Sequence, residues 1–227
     1  MAPVSVTPAR RRPSPGVLRC TLLGVGAMAS PRFRPAGLLV ECGSARVMID
    51  GGLEAVPTSP PDAWLVTDAR AELIADIRRR ARAWGLLPGV EPFRAGALDV
   101  QPMPVRHTAH PTFGYRIRSG RRTVVWAPEF LVFPRWAAGA DLVFAEASGW
   151  NRRIWFRGRV GGHASALEVA AAAERLGVGR LVLAHLGRPT LRALDLGLRP
   201  SFGEAGVEAA SYTLGRSGTV RRSVVRA

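Results

Sequence analysis

Four histidines and a small set of carboxylates are the side chains of this protein best suited to hold a metal ion or move a proton near neutral pH. His107 and His110 follow an apolar run ending at Val105, His163 opens a helical stretch at 164–176, and His185 closes the apolar run 180–184. Each histidine falls at the end of an expected element, where side chains from separate segments converge on a shared rim. Carboxylates fall at comparable places: Asp50 after 47–49, Asp68 after 63–66, Glu129 after 124–126 and Glu146 after 142–145. Imidazoles and carboxylates meeting at strand ends suit zinc and similar divalent ions, or acid–base work. Taken singly, Asp50 and Glu146 read as a helix cap or a loop salt bridge.

The elements that must position these groups follow from apolar periodicity. Strands are expected at 18–24, 37–42, 45–49, 63–66, 98–105, 113–118, 123–126, 142–145 and 180–184, with an edge strand at 218–225. Residues 69–84 place Leu73, Ile74, Ile77, Ala81 and Trp84 at helical spacing, stopped by Gly85, and 164–176 form a second helix stopped by Gly177. Residues 191–206 carry no clear pattern. Strands in meanders, with a strand–helix rhythm returning twice, imply two packed sheets with helices outside.

The 227 residues suit one domain, 18–227, preceded by a Pro-, Arg- and Ser-rich stretch, 1–17, that reads as a disordered basic tail. Cys20 and Cys42 lack zinc-site spacing and read as reduced thiols in apolar strands. The net charge is +15, and all 32 basic residues are arginine. Such usage can reflect the base composition of the coding DNA. The charge attracts anionic substrates; nucleic acid is a partner by charge alone, since no base-reading motif accompanies it. No apolar run reaches the roughly 20 residues of a membrane span, so a soluble, cytoplasmic protein is expected. Oligomeric state is left open, with Trp126, Trp136, Trp150 and Trp155, together with Phe156, able to line a core, a pocket or a dimer face.

Taken in order, seven landmarks resemble the metallo-β-lactamase superfamily, nearest the branch of the tRNA 3′-processing endonuclease and the cyclic phosphodiesterase of phosphonate breakdown. They are Leu22-Leu23-Gly24-Val25-Gly26; Val47-Met48-Ile49-Asp50-Gly51-Gly52; Val105-Arg106-His107 with Gly114-Tyr115-Arg116-Ile117; and Val125-Trp126-Ala127-Pro128-Glu129. Asp141 to Glu146, Gly162-His163-Ala164-Ser165 and Leu183-Ala184-His185-Leu186 complete the series. The resemblance implies an α/β (α+β) fold, a four-layer αββα sandwich.

The superfamily's His-x-His-x-Asp-His is altered. Its positions read Asp68-Ala69-Arg70-Ala71-Glu72-Leu73. By carry-over a first metal would meet Asp68, Arg70, His107 and Glu129, and a second Glu72, Leu73, Glu129 and His185. Arginine and leucine offer no lone pair, so at most one metal is implied, on His107, Glu129 and His185 with Asp68 or Glu72, plus water. Zinc is the first expectation, manganese or iron the alternatives. In a metal-free alternative the Arg70 guanidinium bridges Asp68 and Glu129. The resemblance also implies that His163 stabilises or protonates the scissile phosphate. Glu129 and Asp68 join it as candidates for acid–base work. His110 is expected to orient Glu129 or a loop carbonyl, with Asp50, Arg70 and Glu72 as supporting or substrate-binding groups. The implied activity is hydrolysis of an anionic ester such as a phosphodiester or cyclic phosphate. The alternative is an inactive relative binding a small anion or a partner protein.

Overall fold

The computed structural model describes residues 16–215 and 219–224. Most of the expected tail, 1–15, and positions 218 and 225 of the expected edge strand lie outside the described residues. The chain begins with β1 (Leu18–Gly24), β2 (Gly37–Cys42), β3 (Ala45–Asp50), β4 (Ala63–Leu65) and α1 (Ile74–Arg82). A second run follows: β5 (Phe93–Ala95), β6 (Leu98–Val105), β7 (Thr112–Ser119), β8 (Arg122–Ala127), β9 (Leu142–Ala147), β10 (Ile154–Trp155) and β11 (Gly162–His163). Then come α2 (Ala166–Arg175), β12 (Leu181–Leu186), α3 (Arg188–Asp195), β13 (Glu204–Ala205), β14 (Ala210–Leu214) and β15 (Val220–Val224).

These strands form two large sheets and one small ribbon. The first sheet has the order β15-β14-β1-β2-β3-β4, the second β13-β12-β9-β8-β7-β6-β5, and β10 pairs with β11 alone. Burial patterns explain the stacking. On β1, Leu18, Cys20 and Leu22 are buried while Arg19 is exposed, the alternation of a strand with one face inward. Every residue of β9 and β12 is buried, as befits parallel strands covered on both faces.

The inner faces meet in one apolar core. Leu18, Cys20, Val40, Val47 and Ile49 of the first sheet pack with Val100, Tyr115, Ile117, Val124 and Phe144 of the second. On the outer side of the first sheet, α1 places Ile77 and Ala81 against Met48, Trp64 and Val66. On the far side of the second sheet, α2 contributes Val169, Ala170 and Ala173 against β9 and β12. The result is the expected four-layer αββα sandwich.

Three local outcomes differ from the periodicity. The helix expected from 69 starts only at Ile74. The Asp68 carboxylate accepts the Arg70 N–H at 2.7 Å, a local bond that competes with helix and leaves 68–73 as a loop. The helix expected from 164 starts at Ala166 because Ser165 caps it, with Glu168 completing a capping box. The patternless stretch 191–206 contains most of α3 and the two-residue β13. Among the described residues, no helix is long and apolar enough to cross a membrane.

Candidate metal centre

Four strands of the second sheet run the same way. β6 and β8 each pair antiparallel with β7, and β8, β9 and β12 pair parallel. Their C-terminal ends therefore share one rim, and each delivers a chemical group. β6 leads to His107, β8 to Glu129, β9 carries Glu146 and β12 carries His185. Glu146 and His185 are register partners beyond a shift between Leu183 and His185, an irregularity of the kind that re-aims a side chain. The fifth group, His163, arrives on β11. That strand is docked by the Gly162 N–H donating to the His107 carbonyl at 2.8 Å.

Glu146 organises this rim. It is wholly buried. Its Oε1 accepts the Ser148 N–H at 2.7 Å and lies 3.3 Å from His185 Nδ1. Its Oε2 lies 2.6 Å from His163 Nδ1 and accepts the Phe130 N–H at 3.3 Å. His107 Nδ1 faces the Gly162 carbonyl at 3.1 Å, and since a carbonyl only accepts, that nitrogen carries the hydrogen. Ser148 Oγ adds a 2.9 Å bond at His185 Nδ1. Three imidazoles are thus held from behind through Nδ1.

In front stands Glu129. Its Oε1 is 3.2 Å from His185 Nε2 and its Oε2 is 3.8 Å from His107 Nε2. The His163 ring lies 4.8 Å from that of His107 and 5.7 Å from that of His185, and Phe156 packs 5.2 Å from both His107 and His163. Charge follows from this crowding. Burial would raise the Glu129 carboxyl, but the charge and hydrogen bond of His185, with His107 beyond, bring it down to about 2. Glu146 is likewise held below the usual carboxylate range against burial, chiefly by His185 and His163. Burial would lower His185, yet the two carboxylates on either side raise it to about 10.

This donor set is of the kind that suits a divalent ion. His107 and His185 present Nε2 beside the two oxygens of Glu129. The opposite edge of each ring is fixed by a carbonyl or carboxylate, as is usual for metal-bound histidine. A tighter grouping exists, with Glu146 and one nitrogen each of His163 and His185 all within 4.8 Å of one another. That grouping is the poorer holder. Both Glu146 oxygens already serve backbone N–H groups, and the carboxylate is sealed from solvent, leaving no open position for water or substrate.

All four histidines line one cavity of about 800 Å3, together with Asp50, Asp68, Arg70, Glu72, Leu73 and Glu129. Several expected roles are corrected. Glu146 is neither a cap nor a loop salt bridge but the buried anchor of two imidazoles. Asp50 is also no cap: its oxygens accept the Thr67 N–H at 2.7 Å and the Trp126 Nε1–H at 2.7 Å, and burial raises its carboxyl to about 6 despite those bonds. His110 does not reach Glu129, because its Nε2 pairs with Asp68 Oδ2 at 2.9 Å. With Arg70 N on the other oxygen, Asp68 is turned toward His110 rather than toward the Glu129 cluster. Arg70 is exposed, and among the described residues its guanidinium bridges neither Asp68 nor Glu129. Glu72 is exposed at the rim. Phe156, one of the aromatics expected to line a core, a pocket or a dimer face, lines this cavity, whereas Ser148 carried no sequence signal, since the long-range pairing of β9 with β12 is what places it.

The face-to-face pair of sheets, with imidazoles and carboxylates gathered at one rim, defines an αββα sandwich with a candidate metal site at its edge. The family described as the Beta-lactamase superfamily domain matches residues 34–186, and the chain belongs to it. Solved structures agree on the fold. The metallo-β-lactamase fold protein YhfI from Bacillus subtilis is 21% identical, with 83% of this chain and 95% of that one covered at a TM-score of 0.64. A diphosphatase from the PhnP family is 14% identical, with 87% and 97% covered at 0.62. The short form of human tRNase Z is 14% identical, with 85% and 98% covered at 0.59. No curated protein matches.

Proposed function

We propose that this protein is a metal-dependent hydrolase of an anionic phosphoester, working with a single ion held by His107, His185 and Glu129. The observation that carries this reading is the pair of Nε2 atoms set beside the two oxygens of Glu129, each ring tied through Nδ1. When bound, zinc supplies a water of pKa near 7 and offsets negative charge on the ester. The chain's own residues do the rest. Glu146 and the Gly162 carbonyl fix the imidazoles in the tautomer that leaves Nε2 free. His163, anchored by Glu146 and lining the cavity, is the group placed to hydrogen-bond or protonate the leaving oxygen. Ile154 and Phe156 narrow the water-accessible space on that side.

The test is metal analysis of protein purified without chelator, paired with turnover of bis(p-nitrophenyl) phosphate. About one zinc, manganese or iron ion per chain is expected. Turnover should be abolished by chelator and fall at least about 100-fold in His185→Ala and Glu129→Ala. A second reading, a non-catalytic relative that binds a small anion, is favoured by Arg70 and Leu73 at positions where the superfamily has ligands. Metal far below stoichiometry after refolding with added zinc, with no turnover, would establish it instead.

A further inference from the structure

The cavity of about 800 Å3 is larger than a single phosphate group needs, and its rim carries two guanidinium groups that no carboxylate of the described residues engages. Arg70 lies on the loop after β4 of the first sheet, and Arg188 opens α3 just beyond β12 of the second. Both are exposed and both line the cavity. Among the described residues neither guanidinium has a hydrogen bond or ion pair. The nearby carboxylates are already committed. Asp50 is bonded to Thr67 and Trp126, Asp68 to His110 and the Arg70 N–H, and Glu129 lies beside His185 and His107. Of these rim carboxylates only Glu72, which is exposed, has no partner among the described residues.

Arginine stays charged at any working pH and presents a fork matched to phosphate and carboxylate oxygens. At position 70 a fixed positive charge stands on the side of the cavity whose metal donors are missing. Arg188 adds a second at the N-terminal end of a helix, where the backbone dipole has the same sign. We propose that Arg70 and Arg188 form an anion-binding subsite, so that the preferred substrate carries a second anionic group, phosphate or carboxylate, beyond the ester that is cut. This deepens the hydrolase reading, on which it rests for the position of that ester.

The probes are phosphonoacetate, which bears a carboxylate beyond its phosphonate, and methylphosphonate, which lacks it. Each is titrated calorimetrically into metal-free protein and used as a competitive inhibitor of bis(p-nitrophenyl) phosphate turnover. Phosphonoacetate should bind about 10-fold tighter than methylphosphonate. Arg70→Gln and Arg188→Gln should each remove most of that preference while leaving methylphosphonate within about twofold. Glu72→Gln, which removes an opposing charge from the rim, should strengthen phosphonoacetate binding more than methylphosphonate binding. Equal binding of the two probes, or a preference untouched by either arginine variant, overturns the subsite even if metal and turnover are found. A preference lost in the arginine variants of a chain that binds no metal retains the subsite and removes the hydrolase.

Discussion

Glu146 shows what one buried carboxylate can do for the imidazoles around it. It fixes two imidazoles and is fixed in turn by two backbone N–H groups. Replacement by Gln puts an amide N–H where an acceptor is required, so zinc affinity should fall about 10- to 100-fold, as for other groups behind metal-bound histidines. Titration with a competing chelator measures this, and unchanged affinity would move Glu146 back to a purely structural role. His185 makes a second prediction, for metal-free protein. Its pKa is raised from 6.5 to about 10, so its stabilisation is complete below about 6.5 and is lost as pH rises through about 10. Glu129, lowered from 4.5 to about 2, contributes above 4.5 and loses its effect only as pH falls through about 2. The urea midpoint of metal-free protein should therefore decline between pH 7 and pH 10, and His185→Ala should flatten that decline. Of this cluster, the histidines were legible as residues at element ends. The role of Glu146 was not, because its partners lie 17 and 39 positions away and meet it only through β-pairing.

Among the elements, the β10–β11 ribbon has most control over the site. β11 carries His163, and the Gly162 carbonyl that orients His107 belongs to the same strand. The approach is so close that a Cβ on Gly161 would stand 1.8 Å from the His107 carbonyl oxygen. Backbone would have to move, so Gly161→Ala should cost about 1–3 kcal/mol and weaken metal binding by displacing His107 and His163 together. Urea unfolding and metal titration of the same variant check both effects; loss of stability with intact metal affinity would separate the ribbon from the site. Long elements such as β6, whose bounds match the expectation, were legible because their apolar pattern spans many residues. β10, β11 and β13 have two residues each, too few to show a period, and they exist because neighbouring strands offer partners. The loop 68–73 has a helical pattern in sequence, with a side-chain bond at Asp68 overriding it.

At the scale of the molecule, the proposed metal donors and the segment that departs from the superfamily motif fall on different sheets. His107, Glu129 and His185 all follow from strands of the second sheet, whereas the altered segment Asp68 to Leu73 hangs from β4 of the first. An ion bound as proposed on the second sheet would still concern both, because Asp50 at the end of β3 bonds Trp126 on β8, three residues before Glu129. The shared core between the sheets makes independent unfolding of either one costly. Zinc binding should therefore stabilise the whole sandwich as one unit. At free zinc 100-fold above Kd the gain is about 2.7 kcal/mol, since folded protein binds and unfolded chain does not. For a domain of this size that corresponds to a rise in Tm of about 5–10 °C. Differential scanning calorimetry should show a single transition moving upward in wild type and standing still in His107→Ala and His185→Ala. Two transitions, with zinc moving only one, would mean that the half-site on the second sheet is energetically uncoupled from the first sheet, and a shift that survives both variants would place the ion elsewhere.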